Sequence, residues 1–110
     1  MLRISGTTIT LTRGDSAKIA LDLEYQNGDP YEPQAGDVIR FALKKTYSDI
    51  LPPLLLINIP TNSLILHITA AESKQLAYGQ YKYDIQITTA NGDVDTFIDR
   101  ATFIVTEEVD

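Results

Sequence analysis

The sequence predicts an all-β fold: a sandwich of about seven antiparallel strands with one short helical turn between strands five and six. Two observations predict it. Turn-forming clusters recur about every ten residues, the spacing of a β-sandwich or barrel. Between them, apolar residues alternate with polar ones, which buries one face of a strand and wets the other. A third observation fixes the centre of the fold. The stretch Leu76-Ala77-Tyr78-Gly79-Gln80-Tyr81-Lys82-Tyr83 places a Leu, a Gly and then alternate tyrosines at the entry to a strand.

The first strand is read as Thr7 to Thr12, ended by Arg13-Gly14-Asp15. The second, Ala17 to Tyr25, puts Ala17, Ile19, Leu21, Leu23 and Tyr25 on one face, with Lys18, Asp22 and Glu24 on the other. Gln26 to Pro30 breaks it with turn-forming Asn-Gly and Pro. Tyr31 to Gly36 is an irregular connection. The third strand, Val38 to Lys45, alternates Ile39, Phe41 and Leu43 with Arg40, Ala42 and Lys44. Pro52-Pro53 stiffens the loop that follows.

The fourth strand, Leu54 to Ile59, is apolar on both faces through Leu54, Leu55, Leu56, Ile57 and Ile59. In a small antiparallel sheet such a strand needs a cover on its second face. Either the chain's own loop supplies it, or these residues form an assembly interface. After the turn at Pro60-Thr61-Asn62, the fifth strand runs from Leu64 to Ile68, with Leu64, Leu66 and Ile68 on one side.

Thr69-Ala70-Ala71-Glu72 fits a capping box, Thr69 as cap and Glu72 reaching back. The helix so started is too short to stand alone, so docking of Leu76 must hold it. The sixth strand is Tyr81 to Thr89, with Tyr81, Tyr83, Ile85 and Ile87 inward. Ala90-Asn91-Gly92-Asp93 predicts a hairpin with a type I′ turn, whose positive φ angles Asn and Gly tolerate. The last strand, Val94 to Thr106, is long, and Asp99-Arg100 marks a bulge or bend within it.

The tyrosine spacing refines the fold class. With Leu76 and Gly79 before it, Tyr81 sits where a corner tyrosine of an immunoglobulin-like sandwich hydrogen-bonds backbone a few residues upstream. Tyr83 then falls where antibody domains place their second Cys.

Composition narrows the function. At 110 residues, 44% of them hydrophobic, the chain is one domain, 1–110, with enough core to fold without staples. It has no Cys and a single His, His67, so thiolate sites and multi-histidine metal sites within one chain are excluded. Net charge is −6, which repels phosphate, so neither nucleic acid nor an anionic membrane is expected as partner. Met1 to Gly6 lacks the apolar core of a signal peptide, and no apolar run is long enough to span a bilayer. Synthesis in the cytoplasm is expected.

The chemistry-bearing residues form no evident constellation. His67 lies between apolar neighbours and out of phase with them, facing solvent or a partner. A lone His and an arbitrary Asp do not make a triad, which geometry defines. Asp93, Asp95 and Asp99 cluster near the last hairpin, without the spacing of a calcium loop; edge charges that discourage strand pairing explain them. Asp15, Asp37 and Asp84 read as surface or capping carboxylates. Arg13-Gly14-Asp15 spells an adhesion tripeptide, but Gly-Asp between strands is ordinary turn chemistry. Arg40, Lys44 and Lys45 are the one basic cluster, and they pair more readily with nearby carboxylates than with nucleic acid. No catalytic residue, metal or cofactor is expected.

Several segments carry a resemblance. They are Leu11-Thr12-Arg13-Gly14-Asp15, Gly28-Asp29-Pro30-Tyr31, Gly36 to Lys45, Ile68-Thr69-Ala70-Ala71-Glu72, Gly79-Gln80-Tyr81-Lys82-Tyr83-Asp84-Ile85-Gln86 and Phe103 to Val109. In this order they resemble the immunoglobulin-like N-terminal domain of phage and prophage baseplate upper proteins, over nearly the whole chain. The resemblance implies a non-enzymatic virion part that docks onto other tail proteins or onto itself. In the family this domain usually precedes a longer region, so no receptor-contact residues carry over. The alternative is a carbohydrate- or surface-binding module of an extracellular bacterial protein, with Tyr31, Tyr47 and Tyr78 as exposed stacking faces.

Overall fold

The computed structural model describes residues 8–24, 28–45 and 52–107, with the backbone alone for 98–100. These residues form seven strands and one helix: β1 (Ile9–Thr12), β2 (Ala17–Ala20), β3 (Val38–Lys44), β4 (Leu55–Ile59), β5 (Ile65–Ile68), α1 (Ala70–Lys74), β6 (Gly79–Thr88) and β7 (Val94–Thr106). Five strands make one sheet in the order β1-β7-β6-β3-β4, and β2 pairs with β5 in a second. The fold is therefore all-β with one short helix between the fifth and sixth strands.

Alternation decides what faces the core. In β3, Ile39, Phe41 and Leu43 are fully buried, while Val38 and Arg40 are exposed. Their ladder neighbours Ile87, Ile85 and Tyr83 on β6 are buried too. Leu66 and Ile68 from the second sheet join the same cluster, and Ala17 and Ile19 pack against it. The densest part is aromatic. Tyr83 lies 5.3 Å from Phe41 and 6.4 Å from Phe103, centroid to centroid, the latter edge-on. Each such pair adds about 1 kcal/mol beyond simple burial.

Several expectations need correction. The sheet is not wholly antiparallel: β1 runs parallel to β7, with Ile9 opposite Phe103 and Leu11 opposite Val105. A parallel pair needs a long connection, and two strands at opposite ends of the chain have one. The second strand stops at Ala20 rather than reaching Tyr25, because its partner runs out. Leu21 N–H bonds the carbonyl of Leu64 (2.9 Å), and Leu64 has φ 53°, which turns the chain off the ladder. Leu64 is thus the end of a turn closed onto the Pro60 carbonyl (2.8 Å), and β5 begins at Ile65. Burial still alternates beyond Ala20, with Leu21 and Leu23 inside and Asp22 outside. Tyr25 and Thr7 lie outside the described residues.

β6 starts two residues early, at Gly79, and β4 starts one late, at Leu55. The hairpin after β6 is not a two-residue type I′ turn. Gly92 has φ 87° while Asn91 does not take a positive φ, and Gly92 N–H bonds the Thr89 carbonyl at 2.9 Å. That pattern is a type I turn followed by a left-handed Gly, the three-residue hairpin loop. Register slips occur in the β6–β7 ladder between Tyr83 and Gln86, opposite the backbone around Asp99-Arg100. The slip totals two residues, so Phe97, Ala101, Phe103 and Val105 all stay inward.

The helix is capped as the sequence predicts. Glu72 N–H donates to Thr69 Oγ1 (3.1 Å), and Thr69 N–H donates to Glu72 Oε1 (2.9 Å). The helix also carries the one buried polar side chain among the described residues, Ser73. Its hydroxyl donates to the Asp15 carbonyl (2.7 Å) and accepts from Gly14 N–H (3.0 Å). One side chain so fastens the turn after β1 to α1. Replacing Ser73 by Ala leaves the part-buried Asp15 carbonyl and Gly14 N–H without that partner, so Ser73→Ala is expected to lose about 1 kcal/mol in a urea melt. An unchanged melt would show that water replaces the hydroxyl at no cost.

Candidate functional site

The corner at the start of β6 is built from backbone carbonyls that side chains reach. After α1 the chain turns out of helix, and Leu76 drops into the core at 4% exposure. Its carbonyl accepts from Arg13 Nε (3.0 Å), and the next one, Ala77, accepts from the Tyr81 hydroxyl (2.5 Å). Gly79 takes φ 136°, a backbone conformation that side-chain-bearing residues rarely adopt. Tyr81 and Tyr83 are both buried, so neither offers an aromatic platform.

This geometry explains the Arg13-Gly14-Asp15 tripeptide without adhesion. Arg13 reaches inward to the Leu76 carbonyl, with its guanidinium 5.8 Å from the Tyr78 ring centroid. Gly14 N–H and the Asp15 carbonyl are both engaged by Ser73. The tripeptide is the other half of the corner.

β4 forms one edge of the five-stranded sheet, and the structure divides its apolar residues. Leu55 and Ile59 are buried and Ile57 is half-buried against the core. Leu54 and Leu56 are 52% and 56% exposed. The loop that is one of the two alternative covers, residues 46–51, lies outside the described residues. On the outer face Leu56 stands opposite the half-buried Ala42, and Asn58 opposite Arg40.

Leu54 also edges a cleft. A cavity of about 390 Å³ is lined by Lys45, Leu54, Gln75, Leu76, Ala77 and Tyr81. Lys45 Nζ stands 4.5 Å from the Tyr81 ring centroid and 3.4 Å from the Gln80 carbonyl. A second hollow, about 310 Å³, lies across Gln75, Leu76 and Ala77, with Arg13 and Tyr78 on its far side. Sequence reading missed Ser73, Arg13 and Lys45 as structural partners of this region. A Ser within a short amphipathic turn was the one available signal.

The other candidates separate. Tyr31 is buried, not exposed: it packs edge-on to Phe97 at 5.3 Å and donates its hydroxyl to Asp37 Oδ2 (2.6 Å). A flexible loop tyrosine would lose this hydrogen bond to water, and the pair keeps it by tying the loop to β3. Tyr47 lies outside the described residues, and Tyr78 is 48% exposed under Arg13. Tyr31 is buried while Tyr78 is exposed, so these two do not share a stacking face. Asp37, Asp93 and Asp95 border a cavity of about 340 Å³ beneath the β6–β7 hairpin. Asp37 is already engaged by Tyr31 and by Gln34 N–H (3.1 Å). Among the described residues no three His, Asp or Glu side chains converge as a metal ion requires. His67 is exposed beside Lys18 on the next strand. No helix among them is long and apolar enough to cross a membrane.

With this geometry in hand, comparison with known proteins adds no relative: no protein-family model matches the chain, and no curated protein does.

Two outcomes test the corner. Tyr81→Phe is expected to lose about 1 kcal/mol, the net worth of one hydrogen bond, in a denaturant melt. Burial pushes the Tyr83 phenol up to about 12 from its ordinary 10.0. The unfolded chain then releases a proton between pH 10 and 12 that the folded chain keeps, so stability is complete below 10 and falls as pH rises through that window. Urea midpoints below and within it should show the fall, and Tyr83→Phe should reduce its slope.

Proposed function

We propose that this chain is a non-catalytic structural component of a phage or prophage tail or baseplate. It works as an immunoglobulin-like bead that contacts other virion proteins or copies of itself. Strand order supports the fold assignment. Taking β2, β3, β5, β6 and β7 as strands B, C, E, F and G, the large sheet reads G-F-C with an added strand beside C, as in variable-type domains. The smaller sheet pairs B with E. The motif resemblance supports the phage assignment: its Thr12-Arg13-Gly14-Asp15 segment is held at Ser73 and Leu76, and its Gly79 to Gln86 segment supplies the Tyr81 hydroxyl to the Ala77 carbonyl.

One observation carries the contact role. Leu56, on an edge strand, and Leu54, just before it, are more than half exposed, while the strand's remaining apolar residues serve the core. An exposed edge is a site for pairing or docking, and apolar side chains on it favour a partner.

Light scattering tests this on the purified chain, alone and mixed with the tail proteins encoded beside it. The wild type should associate. Replacing Leu54 and Leu56 together by Glu should weaken association about tenfold or more, as loss of a central apolar anchor does. The melt should shift by no more than about 0.5 kcal/mol, since both side chains lie outside the core. A wild-type chain that stays monomeric and binds none of those proteins would overturn the proposal.

A further inference from the structure

We infer that the cleft between Lys45, Leu54, Leu76 and Tyr81 receives an aliphatic side chain of a partner protein that carries a carboxylate beside it. The inference rests on the contact role proposed above and specifies the partner's chemistry.

Shape and charge point the same way. The cleft, of about 390 Å³, is large enough for a Leu or Ile side chain, and its wall is Leu54, Leu76, Ala77 and the ring of Tyr81. Lys45 is the one charged residue among the described residues lining it. Its ammonium is held 4.5 Å from the Tyr81 ring centroid and 3.4 Å from the Gln80 carbonyl, and these two groups leave donor capacity unused. A carboxylate is the acceptor that completes it. The wall needs little rearrangement, because the Tyr81 hydroxyl is fixed to the Ala77 carbonyl and Arg13 holds the Leu76 carbonyl from the opposite side. A preformed wall lowers the ordering cost of binding.

The chain carries net charge −6, so an acidic partner is repelled at long range and attracted only close to a cation such as Lys45. A single local cation therefore fixes the partner's register rather than speeding its arrival. A polyanion such as nucleic acid needs several phosphate contacts, and this cleft offers one ammonium.

Amide NMR spectra of the whole ¹⁵N-labelled chain test it, with two probes: acetyl-Glu-Leu-Leu-Glu-amide and acetyl-Lys-Leu-Leu-Lys-amide. The acidic peptide should move the amides of Lys45, Leu54, Leu76 and Ala77, and bind about threefold to fivefold tighter than the basic one, the size of one exposed charge pair. Lys45→Met, which keeps the side-chain length, should erase that preference, and Lys45→Glu should reverse it. Equal response to both peptides, no response, or movement confined to other residues would overturn the inference.

The two readings fail separately. If the Leu54 and Leu56 variant loses association while Lys45→Met changes neither association nor peptide preference, the contact role stands and the acidic-partner inference falls. If the chain never associates yet the acidic peptide binds at Lys45, the cleft stands without the assembly role.

Discussion

The fold turns on the burial of Leu76. The chain must pass from the small sheet, which ends with β5, to the large sheet, which β6 enters. It does so through a helix of five residues, too short to persist in water by propensity alone. Sinking a Leu side chain contributes about 2 kcal/mol. That gain would vanish if the carbonyls dragged inward with it were left bare, since an unpaired buried carbonyl costs a similar amount. Arg13 and the Tyr81 hydroxyl meet two of them, and Ser73 ties the same region to the turn after β1. Packing and polar satisfaction are therefore one event. The position of Tyr81 in turn sets the β6 register against Phe103 on β7, two residues before the pairing of Tyr83 with Leu43 on β3.

The same residues make the surface. Leu76, Ala77 and Tyr81 are the floor of the Lys45 cleft as well as the anchor of the crossover. A contact face built on such residues inherits their rigidity, which a face built on loops would lack. The arrangement also couples the anchor to the proposed contact. A substitution that loosens the corner disturbs the cleft, whereas changes at Leu54, Leu56 or Lys45 touch the cleft while leaving the anchor in place.

Much of this was legible in the sequence, and the remainder failed for identifiable reasons. The Thr69 to Glu72 box, the Tyr81 spacing and the irregularity at Asp99-Arg100 are local signals, written within a few residues, and each appears in the structure where the spacing puts it. What escaped is set by distant partners. The parallel pairing of β1 depends on β7, at the other end of the chain. The stop at Ala20 depends on the left-handed Leu64, and no propensity marks a Leu for φ 53°. Tyr31 read as a loop aromatic because its neighbours are polar and include prolines, yet Phe97 and Asp37 draw it inside. Ser73 escaped too, since a hydroxyl gives no sign in sequence of the carbonyl it will meet.

The apolar run in β4 shows how far pattern alone can reach. Five apolar residues in a strand cannot all face one core, because successive side chains alternate. Core packing accounts for Leu55 and Ile59, and partly for Ile57. It does not account for Leu54 and Leu56, where a Thr or Lys would satisfy the strand as well and keep the edge soluble. A single exposed Leu is unremarkable on any protein surface. Leu56 on the edge strand and Leu54 just before it, bordering a cleft whose one charge among the described residues is an ammonium, are a different matter. Among the described residues core packing gives no reason for them, and the contact proposed above supplies one.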